Sequence, residues 1–152
     1  VAVVAEVEVN RTTGRVWPRK FTVVADQGKI INPLWLRRTL EGNIVMATSR
    51  TLWEEVTFDS NNVTSVDWVT YPILEMEDAP EEIDIVLIDH DDLPPYGAGE
   101  PSTRPVTAAI GNAIYDATGL RIRTAPFTPE RIRTLIERGL AADIENASDQ
   151  SV

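Results

Sequence analysis

The sequence predicts an α+β fold: a mixed, largely antiparallel sheet with about three helices packed on one face. Three observations predict it. Residues 3–25 form two alternating apolar and polar runs split by Arg11-Thr12-Thr13-Gly14, the pattern of a β-hairpin. Three later stretches, at 33–53, 105–118 and 129–140, repeat apolar residues at helical spacing. A short apolar run from Ile83 to Ile88, broken only by Asp84, reads as a further strand.

Each element has its own local cause. Val3 to Val9 alternates around Glu6 and Glu8, and Arg15 to Ala25 returns antiparallel to it. Asn32 is a good N-cap and Pro33 a good first helical residue, so a helix is expected from Pro33 to about Trp53. It places Leu36, Leu40, Ile44, Ala47 and Thr51 on one face. Gly42 inside it costs about 1 kcal/mol relative to alanine unless close packing requires it. Glu55 to Phe58 and Val63 to Val69 flank Asp59-Ser60-Asn61-Asn62 and predict a second hairpin.

Pro105 to Thr118 carries Val106, Ala109, Ile110, Ala113, Ile114 and Ala117 as one stripe, and Gly119 ends the helix in the left-handed conformation. Arg121 and Arg123 follow in a strand-like alternation. Thr128-Pro129-Glu130 opens the final helix, with Ile132, Leu135, Ile136 and Leu140 inward. Residues 1–140 are expected to be one domain and 141–152, small and polar, a mobile tail.

Composition narrows the function. The 152 residues hold 14 basic and 24 acidic side chains, a net charge of −10, which argues against nucleic acid or an anionic membrane as the main partner. No apolar run is long enough to span a bilayer. Zero cysteines exclude disulfides and thiolate-bound iron–sulfur clusters within these residues. A single histidine, His90, leaves no classical zinc site, and no metal ligand is assigned. The opening on Val1, inside a strand and without a signal peptide, suggests a fragment or processed product.

The most informative stretch is Tyr96-Gly97-Ala98-Gly99-Glu100-Pro101. It sets one carboxylate among small residues just ahead of an amphipathic helix. Glycines at 97 and 99 permit positive φ and close packing against a bulky ligand. Pro101 stiffens the segment and biases Glu100 toward an extended conformation. The pattern suits presentation of a general base, and equally a solvated turn carrying a surface glutamate. The loops around 26–32 and 96–104 each precede a helix, so their convergence at one end of the sheet would aim two helix N-termini at one anionic ligand.

Further motifs run in order along the chain: Asp26-Gln27-Gly28, Ile31-Asn32-Pro33, Glu41-Gly42, Glu54-Glu55-Val56 and Tyr71-Pro72-Ile73-Leu74 before that loop, then Asn112-Ala113-Ile114, Ala117-Thr118-Gly119 and Thr128-Pro129-Glu130 after it. In order and spacing the chain resembles the C-terminal part of the molybdopterin-binding large subunit of the molybdenum hydroxylases, the xanthine dehydrogenase and aldehyde oxidase family. The resemblance covers residues 3–136, and Tyr71-Pro72-Ile73-Leu74 looks closest to the isoquinoline 1-oxidoreductase type.

The resemblance implies a molybdenum–molybdopterin cofactor, in its simple or cytosine dinucleotide form. It implies hydroxylation of an aldehyde or N-heterocycle with oxygen from water, and Glu100 matches the family's catalytic base. Gly97, Ala98 and Gly99 would leave room for the metal centre. For Asp26 and Gly28 two readings stand, a turn-and-cap role before the helix and contact with the cofactor. The implied partners are the remainder of the large subunit, an iron–sulfur subunit or cytochrome as electron acceptor, and a small-molecule substrate. The isolated chain is then expected to be catalytically silent.

Departures from the family pattern keep a second reading open. Thr39 and Met46 stand where members usually carry glutamines expected to bond the pterin or steady the helix. A non-catalytic interaction module that kept the fold and lost the cofactor would also fit. Arg121 and Arg123 could neutralise a pyrophosphate or simply form a solvated face. Asp89, Asp91 and Asp92 beside His90 lack the spacing of a calcium loop. Trp17, Trp35, Trp53 and Trp68 are too scattered for a base-stacking platform and are expected in core or subunit contacts.

Overall fold

The computed structural model describes residues 1–149, with side chains to residue 139. Two strands come first, β1 (Ala2–Val9) and β2 (Val16–Asp26), then the long helix α1 (Pro33–Leu52). After an irregular segment come β3 (Glu82–Ile88), α2 (Val106–Thr118) and α3 (Pro129–Asp149). The order β1-β2-β3 makes a three-stranded mixed sheet. β1 runs antiparallel to β2, while β3 runs parallel to it. The hairpin and all three helices stand where the sequence places them. The sheet is divided evenly between the two pairings rather than largely antiparallel, because a long crossover through α1 separates β2 from β3.

One face of the sheet is apolar. Ala5, Phe21, Val23, Ala25 and Ile85 are buried there, and Ala5 pairs with Phe21 as Val23 pairs with Ile85. On β2 the buried positions change parity, from Val16 and Pro18 to Phe21, Val23 and Ala25. A bulge explains this. Glu6 pairs with Lys20 and Val7 with Pro18, leaving Arg19 as the extra residue, so both halves of the strand keep their apolar side inward. Pro18, which has no N–H to give, is tolerated in a central strand beside that bulge. Lys20 pairs with Glu82 at 2.8 Å on the polar face, and Arg19 lies over the Trp17 ring at 3.5 Å.

Leu40 and Ile44 of α1, Val106, Ile110 and Ile114 of α2, and Ile132 and Ile136 of α3 complete the core. Thr51 Oγ1 and Thr107 Oγ1, 2.7 Å apart, tie α1 to α2. Asn32 caps α1 as expected, its Oδ1 accepting from Trp35 N at 3.0 Å. Gly119 closes α2 at φ 75°. Among the described residues nothing lies within 4 Å of the position a Cβ at Gly42 would take, so none of their packing requires a glycine there.

Two expectations are corrected. The second hairpin reduces to a single bridge between Phe58 and Val63. Asp59 Oδ1 accepts from the N–H groups of Asn61 and Asn62, and Asp67 Oδ1 from those of Val69 and Thr70, so local turns take donors a ladder would need. The alternation at Arg121 and Arg123 forms no strand among the described residues. The expected tail from 141 overlaps the last turns of α3, and its final three residues, like the Leu140 side chain, lie outside those described.

Candidate active site

Parallel pairing of β2 and β3 brings their carboxyl ends to the same edge, the usual place for a ligand crevice in such a sheet. The loops that leave there bond to each other. Gly28 and Pro95 form an isolated bridge, Tyr96 N donates to Gln27 O at 2.8 Å, and His90 N donates to Gly28 O at 3.3 Å. The predicted convergence of the 26–32 and 96–104 loops is therefore present.

Asp26 and Gly28 build this junction. Asp26 Oδ1 accepts from Gly28 N at 3.2 Å, and its Oδ2 lies 3.2 Å from His90 Nε2. The Gly28 N–H, with His90 adding to it, holds the Asp26 carboxyl below its ordinary 3.8. Gly28 sits at φ 67°, and a Cβ there would lie 2.2 Å from Pro94 O. Both residues thus take part in the turn that joins the two loops. Asp89 and His90 are likewise engaged, Asp89 Oδ1 accepting from Ile30 N at 2.8 Å.

Between the loops and the first turns of α1 lies an open cavity of 220 Å³, whose lining includes Gln27, Ile31, Trp35, Thr39, Tyr96 and Ala98. Thr39 thus faces the same space as the small-residue loop. Ile31 and Trp35 are 73% and 69% exposed, an apolar rim that the described residues leave uncovered. A larger cavity of 610 Å³ is lined by none of these residues. The smaller one is the better candidate because both loops and the α1 N-terminus meet there.

Gly97, Gly99 and Glu100 follow immediately in the chain. Neither Gly97 nor Gly99 takes positive φ, which corrects the conformational reading of both. A Cβ at either would meet nothing within 4 Å, so their smallness preserves open space beside the loop. Glu100 is exposed. Its main-chain carbonyl accepts from Thr103 N at 3.0 Å and from Thr103 Oγ1 at 2.8 Å, fixing the turn that leads into α2.

The residues that anchor this loop escaped the sequence reading. Asn43 Nδ2 donates to Gly99 O at 2.7 Å and to Ser102 Oγ at 3.0 Å, bracketing Glu100. Asn43 is 6% exposed and Ser102 fully buried. A signal existed: Asn43 stands three residues after Leu40 on the inward stripe of a helix, where an amide needs a buried partner. Arg121, assigned to an anionic ligand or a solvated face, bonds Asn112 Oδ1 at 2.7 Å and lies over the Tyr115 ring at 3.9 Å.

Comparison with known proteins matches this architecture. Residues 1–80 match the family model described as the molybdopterin cofactor-binding domain. The chain is 42% identical over 133 residues to a nicotinate dehydrogenase subunit of Pseudomonas putida KT2440, covering 88% of this chain and 11% of that protein. It is 33% identical over 133 residues to a molybdenum-binding aldehyde oxidoreductase subunit of Escherichia coli K12, covering 84% of this chain and 18% of the relative. Among solved structures, quinoline 2-oxidoreductase of Pseudomonas putida 86 superposes with a TM-score of 0.78 at 29% identity, over 86% of this chain and 18% of that one. Aldehyde oxidoreductase of Desulfovibrio gigas superposes with a TM-score of 0.77 at 30% identity, over 88% and 15%. The chain spans less than a fifth of these proteins' length. It belongs to the molybdopterin cofactor-binding domains of the xanthine dehydrogenase and aldehyde oxidoreductase family.

Proposed function

We propose that this chain contributes the catalytic glutamate, Glu100, and one wall of the cofactor pocket to a molybdenum-dependent oxidoreductase that hydroxylates an aldehyde or N-heterocycle with water. The observation that carries the reading is the double anchorage of the Glu100 loop, from Gln27 through Tyr96 and from Asn43 through Gly99 and Ser102. A loop held on both sides of its carboxylate is preorganised for proton transfer.

The residues fit the cofactor. The loop offers open space where side chains at 97 and 99 would project, and a cavity joins Ala98 to α1. Gly97, Ala98 and Gly99 would lie against the group, with Asp26 and Gly28 holding the opposing loop. When bound, the molybdenum–pterin centre supplies the two-electron chemistry. Glu100 takes up the proton released from water as oxygen is transferred. Exclusion of water falls to the remainder of the large subunit, which would cover Ile31 and Trp35.

The family resemblance extends to substrate, cofactor form and electron acceptor. Tyr71-Pro72-Ile73-Leu74 supports the isoquinoline 1-oxidoreductase type. The relatives' names add nicotinate, quinoline and aldehydes as kindred substrates. The piece belongs to the C-terminal part of the large subunit, carries the pterin in its simple or cytosine dinucleotide form, and passes electrons to an iron–sulfur subunit or cytochrome. Thr39 in the cavity lining favours one alternative, an assembly module that has lost the cofactor.

Metal and pterin analysis of the native complex isolated through this chain separates the two. Molybdenum and oxidised-pterin fluorescence in wild type and in Glu100→Gln alike, with hydroxylase activity only in wild type, is the expected result. An intact complex without molybdenum would establish the module instead.

A further inference from the structure

Gln27 is buried, 7% exposed, and lines the 220 Å³ cavity between the two loops and α1. Its main-chain carbonyl is spent on the loop junction, accepting from Tyr96 N at 2.8 Å. Its carboxamide makes no hydrogen bond among the described residues, and none of their buried side-chain polar atoms lacks both a partner and access to solvent. The amide therefore opens on the cavity it lines.

The other polar side chains of the lining differ from it. Lys29, Asn32, Thr39, Trp35 and Tyr96 are all exposed, so Gln27 alone among them is held in place by burial. Asn32 is engaged in the α1 cap, its Oδ1 accepting from Trp35 N at 3.0 Å. Lys29 can only donate, and Thr39 brings a single hydroxyl. A carboxamide carries donor and acceptor on separate atoms of one plane, which matches the edge of a heterocycle where C=O and N–H stand side by side. Burying such a group without a partner is costly, so its place on a cavity wall marks it for whatever fills that space. Gln27 lies within residues 1–80, the stretch that matches the molybdopterin cofactor-binding domain, and a pterin presents that kind of edge.

We propose that Gln27 is a cofactor-binding residue whose carboxamide hydrogen-bonds the pterin in this cavity. The assignment rests on the molybdenum–pterin centre being bound as proposed above. The test uses the native complex isolated through this chain and checked for assembly by gel filtration. Release of pterin is followed by the fluorescence of its oxidised form, at a temperature below unfolding. Gln27→Met removes the amide from a side chain of similar length, and Gln27→Leu serves where the first variant fails to assemble. Pterin should leave the variant about tenfold or more faster than wild type, since a lost ligand contact shows mainly in the off-rate. The unfolding temperature of the cofactor-free complex should be the same in variant and wild type, because the amide then has no protein partner to lose. Release at the wild-type rate would overturn the assignment. So would a matching loss of stability in the cofactor-free complex, which would place the partner of the amide in the remainder of the large subunit. A wild-type complex without pterin would sink the cofactor reading itself, and this assignment with it.

Discussion

Asn43 Nδ2 reaches the Gly99 carbonyl at 2.7 Å and the Ser102 hydroxyl at 3.0 Å, so one amide in the middle of α1 holds the chain on both sides of Glu100. The helix thereby acts as the rigid support for a loop that has no regular structure of its own. Replacing Asn43 with alanine would strand a carbonyl and a buried hydroxyl. Urea unfolding should show a loss of about 1–3 kcal/mol, with amide exchange accelerating at residues 99–103. An unchanged midpoint and unchanged exchange would show that the loop is held by other means.

Two glycines should respond in opposite directions. Gly28→Ala forces a Cβ to 2.2 Å from Pro94 O at φ 67°, and should lower stability by more than about 1 kcal/mol. Gly42→Ala in α1 meets nothing within 4 Å and should raise it by about 0.5–1 kcal/mol. Thermal unfolding of both variants checks the pair. A destabilised Gly42→Ala would mean that the helix is strained in a way its contacts do not reveal.

Acid should weaken the fold through turns rather than through the core. Asp26, Asp59 and Asp67 are each held below the ordinary 3.8 by N–H donors, chiefly those of Gly28, Asn61 and Thr70 respectively. A folded value below the unfolded one stabilises above the unfolded value and is lost as pH falls through the folded one. Stability should therefore hold down to about pH 4 and decline below it. In Asp26→Asn/Asp59→Asn/Asp67→Asn the decline should be shallower. An identical acid limb in that variant would place the titration elsewhere.

Much of this was legible in the sequence, and what was not has identifiable causes. Asn32-Pro33 and Gly119 announced helix ends because their chemistry is local. The bulge at Arg19 was hidden because alternation continues on either side of it and only pairing with β1 reveals the change of parity. The second hairpin failed where Asp59 and Asp67 turned donors inward to their own loops. At the site, Glu100 stood out through its flanking glycines, while Asn43 lies 56 residues from the Gly99 it holds. Parallel pairing of β2 with β3, which sets the site at one edge, depends on a crossover that no local pattern encodes.

The most direct test of Glu100 as the base is the rate of a single turnover, measured as substrate reduces the metal centre in complexes of equal molybdenum content. Glu100→Gln keeps the size and polarity of the side chain and removes only its ability to take a proton. A fall of about 10²–10⁴-fold, with metal and pterin retained, is the predicted result. A wild-type rate in the fully loaded variant would contradict the account and return Glu100 to the role of an exposed surface residue.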